Sequence, residues 1–244
     1  MSGPDSEDLY RQQVARAASD ERLVRLRVES AQLVAEGFSI VGTELHVAGH
    51  LLGADRRDGL SPFEHGSDEV VAVSVLLRIA GQLVLGSLNL FEQGIPYPAA
   101  ALLRQVVEIE YLTWAFEARD GDAERWLRSD RSERERFFSP AKLRRAANGK
   151  FGTNDYGRHC EFGGHPVPNV GSLLSGDGSV AQLLLADLLG HSARIWNHAF
   201  GWAKRTPLAE PSLKHYAPIS TRLQDWWNVD PLAGLRPPVP DCDR

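Results

Sequence analysis

The stretch from Tyr156 to Pro168, YGRHCEFGGHPVP, gathers Arg158, His159, Cys160, Glu161 and His165 within eight positions. An arginine grips an anionic phosphoryl group through a planar fork of donors, and a histidine moves a proton near neutral pH. Together they suit attack of a ribose 2′-hydroxyl on its adjacent phosphate, a reaction that needs no metal. Pro166 biases His165 away from helical geometry, and Gly163-Gly164 permits a tight backbone. His165 is therefore predicted at the end of a helix or just past it, with Arg158 about two turns earlier. The same residue types also serve as caps and buried hydrogen-bond donors, so the spacing leaves both readings open.

Arg104 and Glu108 form a second polar pair, one helical turn apart between Leu103, Val107 and Tyr111. One reading is a buried ion pair that fixes helix packing. The other turns Arg104 toward the same cleft as His165, with Glu108 orienting it. Glu110 falls on a different face and is expected to meet solvent or a basic residue. Between Arg125 and Lys150, nine basic residues face three acidic ones, a local excess of +6 in a chain whose net charge is −5. Arg128, Lys142, Arg144 and Arg145 belong to this island, which is either a phosphate-binding surface or a solvated face of internal ion pairs. The overall charge excludes a protein that coats nucleic acid indiscriminately.

Other groupings are weaker. His191 and His198 lie on the stripe Leu184, Leu188, His191, Ile195, His198, Trp202. Seven residues of helix separate them by about 10.5 Å, too far for one metal ion, so core histidines are predicted. His46 and His50 stand at chelating spacing with Glu44 near, but no third ligand can be named. His159 and Cys160 are adjacent and point in different directions on a helix, which excludes a nucleophile–base pair and makes Cys160 a small packing residue. Trp226-Trp227 reads as core or as a contact surface.

The elements that must position these groups are helical. Periodicity predicts a long first helix over 6–52, broken near Asp20 or Gly37. Further helices are predicted over 68–93, 97–117 and 122–138, then a short one from Ser139-Pro140, an irregular stretch over 149–178, and helices over 179–205 and 211–227. The apolar run from Val70 to Phe91 is about long enough to span a bilayer, but Arg78, Gln82 and Asn89 interrupt it. Val73, Leu77, Ala80, Val84, Leu88 and Phe91 trace one face, so a central bundle helix is expected. The fold class is all-α: one helical bundle of long antiparallel helices with short accessory helices over 1–227, followed by a Pro-rich tail over 228–244. Two cysteines and an acidic, polar N-terminal segment point to a cytoplasmic protein with no membrane partner.

Arg158-His159 followed by His165 resembles the R-x4–6-H motif of the HEPN superfamily, in which a polar residue usually follows the arginine. ALLRQVVEIEYLTWAF, residues 101–116, resembles a branch of bacterial HEPN-like proteins. These carry an R-x3-E helix and, some tens of residues later, a Y-R-x-x-C/S-x-x-x-HP-type element. The likeness reaches from about Leu83 to Trp202. It implies an all-α homodimer and a metal-independent, cofactor-free endoribonuclease of toxin–antitoxin or antiviral defence systems, with RNA as substrate and an antitoxin or defence protein as partner. Carried over, Arg158 and His165 are catalytic, with His159 in the polar position. Arg104, Glu108, Tyr156, Arg128, Lys142, Arg144 and Arg145 become substrate-binding. Some members only bind or scaffold, which leaves a non-catalytic dimerisation protein as the alternative.

Overall fold

Asp20 divides the N-terminal helical run. Its carboxylate accepts from the backbone N–H of Arg22 and Leu23, capping α2 (Glu21–Val47) and ending α1 (Ser6–Ser19). Gly37 does not break α2. A Cβ there would stand 2.1 Å from Ile219 Cδ1, so this glycine serves packing. α2 runs on into a π-helical turn, Ala48–Leu52. The computed structural model describes residues 6–52, 67–152, 155–163, 166, 168–174 and 178–235, and among these every regular element is helical.

Ser67 caps α3 (Asp68–Glu92) by accepting from the Val70 N–H. Val73, Leu77, Ala80, Val84, Leu88 and Phe91 are all buried, while Arg78, Gln82 and Asn89 face outward. α3 is the one described helix long and apolar enough to cross a membrane, and it is a core helix of the bundle. Small residues bring α2 and α3 together: Ser74 Oγ donates to the Gly42 carbonyl at 2.8 Å, and Gly81 lies against the Ala35 carbonyl. These pairs run in opposite senses along the sequence, so the two helices are antiparallel. Gly94, with φ of 71°, turns the chain into α4 (Pro96–Ala118), which returns along α3 with Ser87 Oγ bonded to the Ala99 carbonyl.

α10 (Gly178–Ala203) completes the set of long helices. Glu110 meets His191 and Glu117 meets His198, so residue numbers rise together and α10 runs parallel to α4. A parallel neighbour requires a long crossover, here residues 119–177. That crossover holds α5 (Asp122–Arg128), α6 (Arg131–Phe137), α7 (Pro140–Ala146), α8 (Asp155–Gly163) and α9 (Gly171–Leu174). The single helix predicted over 122–138 is two. Ser129 is extended, and the Asp130 carboxylate caps α6 at the Glu133 N–H, 2.8 Å away. The stretch predicted to be irregular contains α8, the helix that carries most of the motif.

A 3₁₀ segment, Pro207–His215, leads into α11 (Tyr216–Val229). Of the two readings of Trp226-Trp227, core holds for Trp226, which is fully buried, whereas Trp227 is 46% exposed. The Trp226 indole N–H donates to Asp230, the centre of a clamp that no local pattern announced. Arg27 reaches Asp230 through Nε at 2.6 Å and Nη2 at 2.7 Å, Gln182 through Nη1 at 2.8 Å, and the Ala17 carbonyl through Nη2. Both charged side chains are 0% exposed. Asp230 and Leu232, the start of the Pro-rich tail, are thus part of the packed bundle, and residues 236–244 lie outside the described residues. Asp230→Ala strands a buried guanidinium and is expected to lower unfolding free energy by about 3–5 kcal/mol. Chemical denaturation measures this, and a loss under about 1 kcal/mol would contradict the clamp.

Candidate functional site

α8 lies across α4 because Gly163 has no side chain. A Cβ at Gly163 would sit 2.4 Å from the Ala101 nitrogen and 2.6 Å from the Ala100 oxygen. With Phe162 also buried, Tyr156 and Cys160, one turn apart on α8, come against Arg104 and Glu108. The Tyr156 hydroxyl donates to Glu108 Oε1 at 2.8 Å and accepts from Arg104 Nη1 at 3.2 Å, while Arg104 and Glu108 pair at 3.2 Å. Tyr111 and Phe151 back the Tyr156 ring, and the Arg144 guanidinium of α7 stands 5.1 Å over it. Both elements named in the HEPN resemblance therefore contribute to one cluster.

The cluster faces solvent: Arg104 is 30% and Glu108 31% exposed. The pair is not sealed in the core, and Arg104 can reach a ligand. Burial works against the Arg104 charge, but Glu108, Tyr156 and the neighbouring Cys160 outweigh it and raise its pKa. Burial, then the hydrogen bond to Glu108, push the Tyr156 hydroxyl well above its ordinary range. Tyr156 is accordingly a hydrogen-bond donor at neutral pH and not a base. Cys160 is half-buried, more open than a packing residue was expected to be.

Arg158 takes a different direction. Two residues from both Tyr156 and Cys160, it projects from another side of α8. It is half-buried, its Nε has no hydrogen-bond partner, and its charge offsets part of the burial that raises the Tyr10 pKa on α1. The structure does not bring Arg158 to Arg104. His165, the other motif residue, lies outside the described residues.

His159 turns inward, 5% exposed, and its Nε2 bonds Asp187 Oδ2 at 2.9 Å. Asp187 also lies 3.5 Å from His191 Nε2, and His191 Nδ1 meets Glu110 Oε2 at 2.5 Å. Arg194 Nε closes the far end on Glu110 Oε1 at 2.8 Å. This network ties α8, α10 and α4 together beneath the Tyr156 cluster. Burial alone would raise the Asp187 pKa, but His191, His159 and Arg194 hold it at about 2. Burial likewise opposes the Glu110 charge, and His191 and Arg194 hold its pKa below the usual carboxylate value. Glu110, expected to meet solvent or a basic partner, is 2% exposed and does the latter. His198 is a core histidine bonded to Glu117, as the stripe predicted. The spacing Asp187-x3-His191 was a local signal for this network that the stripe of apolar residues obscured.

The basic island divides in two. Arg128 pairs with Asp68 and Glu124, Arg125 with Glu133, and Arg131 with Glu135, so α5 and α6 absorb much of their own charge. On α7 and just beyond, Lys142, Arg145 and Lys150 are exposed and have no acidic partner among the described residues. The positive surface is thus narrower than the sequence suggested and borders Tyr156 through Arg144. Elsewhere, the His46 and His50 rings lie 4.3 Å apart, but Glu44 is held by Lys214 and His215.

Two glycine substitutions on α8 separate packing from propensity. Gly163→Ala overpacks the contact with α4 and is expected to cost about 1–3 kcal/mol. Gly157→Ala meets nothing within 4 Å and is expected to stabilise by about 0.5–1 kcal/mol through helix propensity. Thermal unfolding of the two variants measures both signs, and a neutral Gly163→Ala would refute the docking of α8 described above. In comparisons with family models, curated proteins and solved structures, nothing matches this chain.

Proposed function

We propose that the chain is a HEPN-like, metal-independent endoribonuclease or RNA-binding protein, acting as a cytoplasmic homodimer in a prokaryotic defence or toxin setting with an antitoxin or defence partner. The observation that carries this reading is the half-exposed Arg104–Glu108–Tyr156 cluster beside the α7 cations. Arg104 is fixed by Glu108 and Tyr156 yet retains open surface, which suits a group that receives a phosphate. Arg144, at the edge of the Tyr156 ring, and Lys142 and Arg145 on the same short helix supply positive charge for the flanking backbone.

In the reaction, the ribose 2′-oxygen attacks the adjacent phosphorus and the bond from phosphorus to the 5′-oxygen breaks. The products are a 2′,3′-cyclic phosphate and a 5′-hydroxyl. A base takes the 2′ proton and an acid supplies one to the departing 5′-oxygen, roles that the two His165 side chains of a dimer would share. Arg158 would neutralise the charge that builds on the phosphoryl oxygens, and Arg104, against another side of α8, would hold a neighbouring phosphate of the strand. Tyr156, kept protonated, donates and does not compete for the proton.

A second reading, a non-catalytic dimerisation protein, is favoured by Trp227 and Val229, which α11 leaves 46% and 54% exposed. Expression of wild type beside His165→Ala, Arg158→Ala and Arg104→Ala in a bacterium separates the two. The nuclease reading expects growth arrest and RNA ending in 2′,3′-cyclic phosphate from wild type, with cleavage reduced by about 100-fold or more in His165→Ala. Equal growth of all four strains with no cyclic ends would leave the dimerisation reading.

A further inference from the structure

We propose that His159, Asp187 and His191 bind one divalent cation of the zinc type, which fastens α8 to α10. His159 and His191 offer imidazole nitrogens and Asp187 offers a carboxylate oxygen, and all three ligand atoms lie within 4.8 Å of one another. Asp187 and His191 stand one turn apart on α10, and His159 reaches in from α8. A cation with bonds of about 2.1 Å would draw the atoms to separations of about 3.4 Å, a movement that imidazole and carboxylate rotations supply.

A second, independent feature points into this cluster. His191 is 1% exposed, and its Nε2 is buried without a hydrogen-bond partner. Nδ1 is already engaged, with Glu110 Oε2 at 2.5 Å and Arg194 Nη2 at 2.8 Å, so Nε2 is the ring nitrogen left to bind a cation. Nε2 faces Asp187 Oδ1 at 3.5 Å. A cation bonded to both atoms would bridge them. Glu110 takes the position of the outer carboxylate that orients metal-bound histidines and raises their basicity. Two nitrogens and one oxygen suit zinc better than magnesium or calcium, which prefer oxygen. The bond from the cation to His159 Nε2 takes the place of the hydrogen bond that this nitrogen makes to Asp187. The fourth position falls to water. With the histidines 5% and 1% exposed, an RNA strand has no room at the ion, so this centre holds α8 in place and does not enter the cleavage chemistry.

Untagged full-length protein, stripped with chelator and titrated with Co²⁺, tests this on the wild type itself. The visible bands of low-coordinate Co²⁺ are expected to saturate at one equivalent per chain, and Zn²⁺ is expected to displace them and raise the melting temperature. His159→Gln and His191→Gln should each weaken binding by about 100-fold or more, and Glu110→Gln by about 10–100-fold. The double variant His46→Ala/His50→Ala controls for the other histidine pair and should bind as wild type does. Absence of Co²⁺ bands from the wild type would overturn the proposal. So would bands that survive in both His159→Gln and His191→Gln, or that vanish with His46 and His50.

Discussion

The buried run from Glu110 through His191 and Asp187 to His159 is the constraint on which the rest of the site depends. A nine-residue helix such as α8 is not stable alone in water, because the cost of nucleation exceeds what so few hydrogen bonds return. α8 persists because it is held at three places: Gly163 on the α4 backbone, Phe162 in the core, and His159 on Asp187. Only in that position does Tyr156 reach Glu108 and Arg104. The solvent-facing cluster is therefore a consequence of buried electrostatics on an adjoining face of the same short helix. Such a network is costly to leave incomplete, since each carboxylate is ionised in surroundings that penalise charge.

Connectivity explains why the site sits where it does. α2, α3 and α4 follow one another as antiparallel neighbours, but α10 runs parallel to α4, and the chain must travel back the length of the bundle before α10 begins. The residues spent on that return form α5 to α9, which carry the basic island and the motif helix. Ion pairs within α5 and α6 neutralise much of the island, leaving the open positive charge on α7 next to Tyr156. Near the same end of α10, where Gln182 precedes Asp187 by five residues, the Arg27–Asp230 clamp joins α1, α2, α10 and α11, so the first and last helices close on one buried ion pair.

Local pattern made the long helices legible. The face Val73, Leu77, Ala80, Val84, Leu88 and Phe91 is buried in full, and Arg78 and Asn89 mark the opposite side. The break at Asp20 was one of two candidates, and only the packing of Gly37 on Ile219 decides between them. α8 was obscured by the glycines around it, because tertiary docking and not propensity makes it helical. The pairing of Arg104 with Glu108 could be read from their spacing, but their exposure and their link to Tyr156 could not. Glu110 with His191 and Arg27 with Asp230 join residues 81 and 203 positions apart, where helical periodicity carries no information. Arg158 shows the same limit, since its place in a motif does not reveal that it points toward α1.

Hydrogen exchange on the α8 amides in Asp187→Asn, compared with wild type, tests directly whether the buried network holds the site together. Protection across Tyr156–Phe162 is expected to fall by about tenfold or more while the amides of α3 keep theirs, because α8 loses its anchor and the main core does not. Unchanged protection of α8, or an equal loss throughout the bundle, would contradict it.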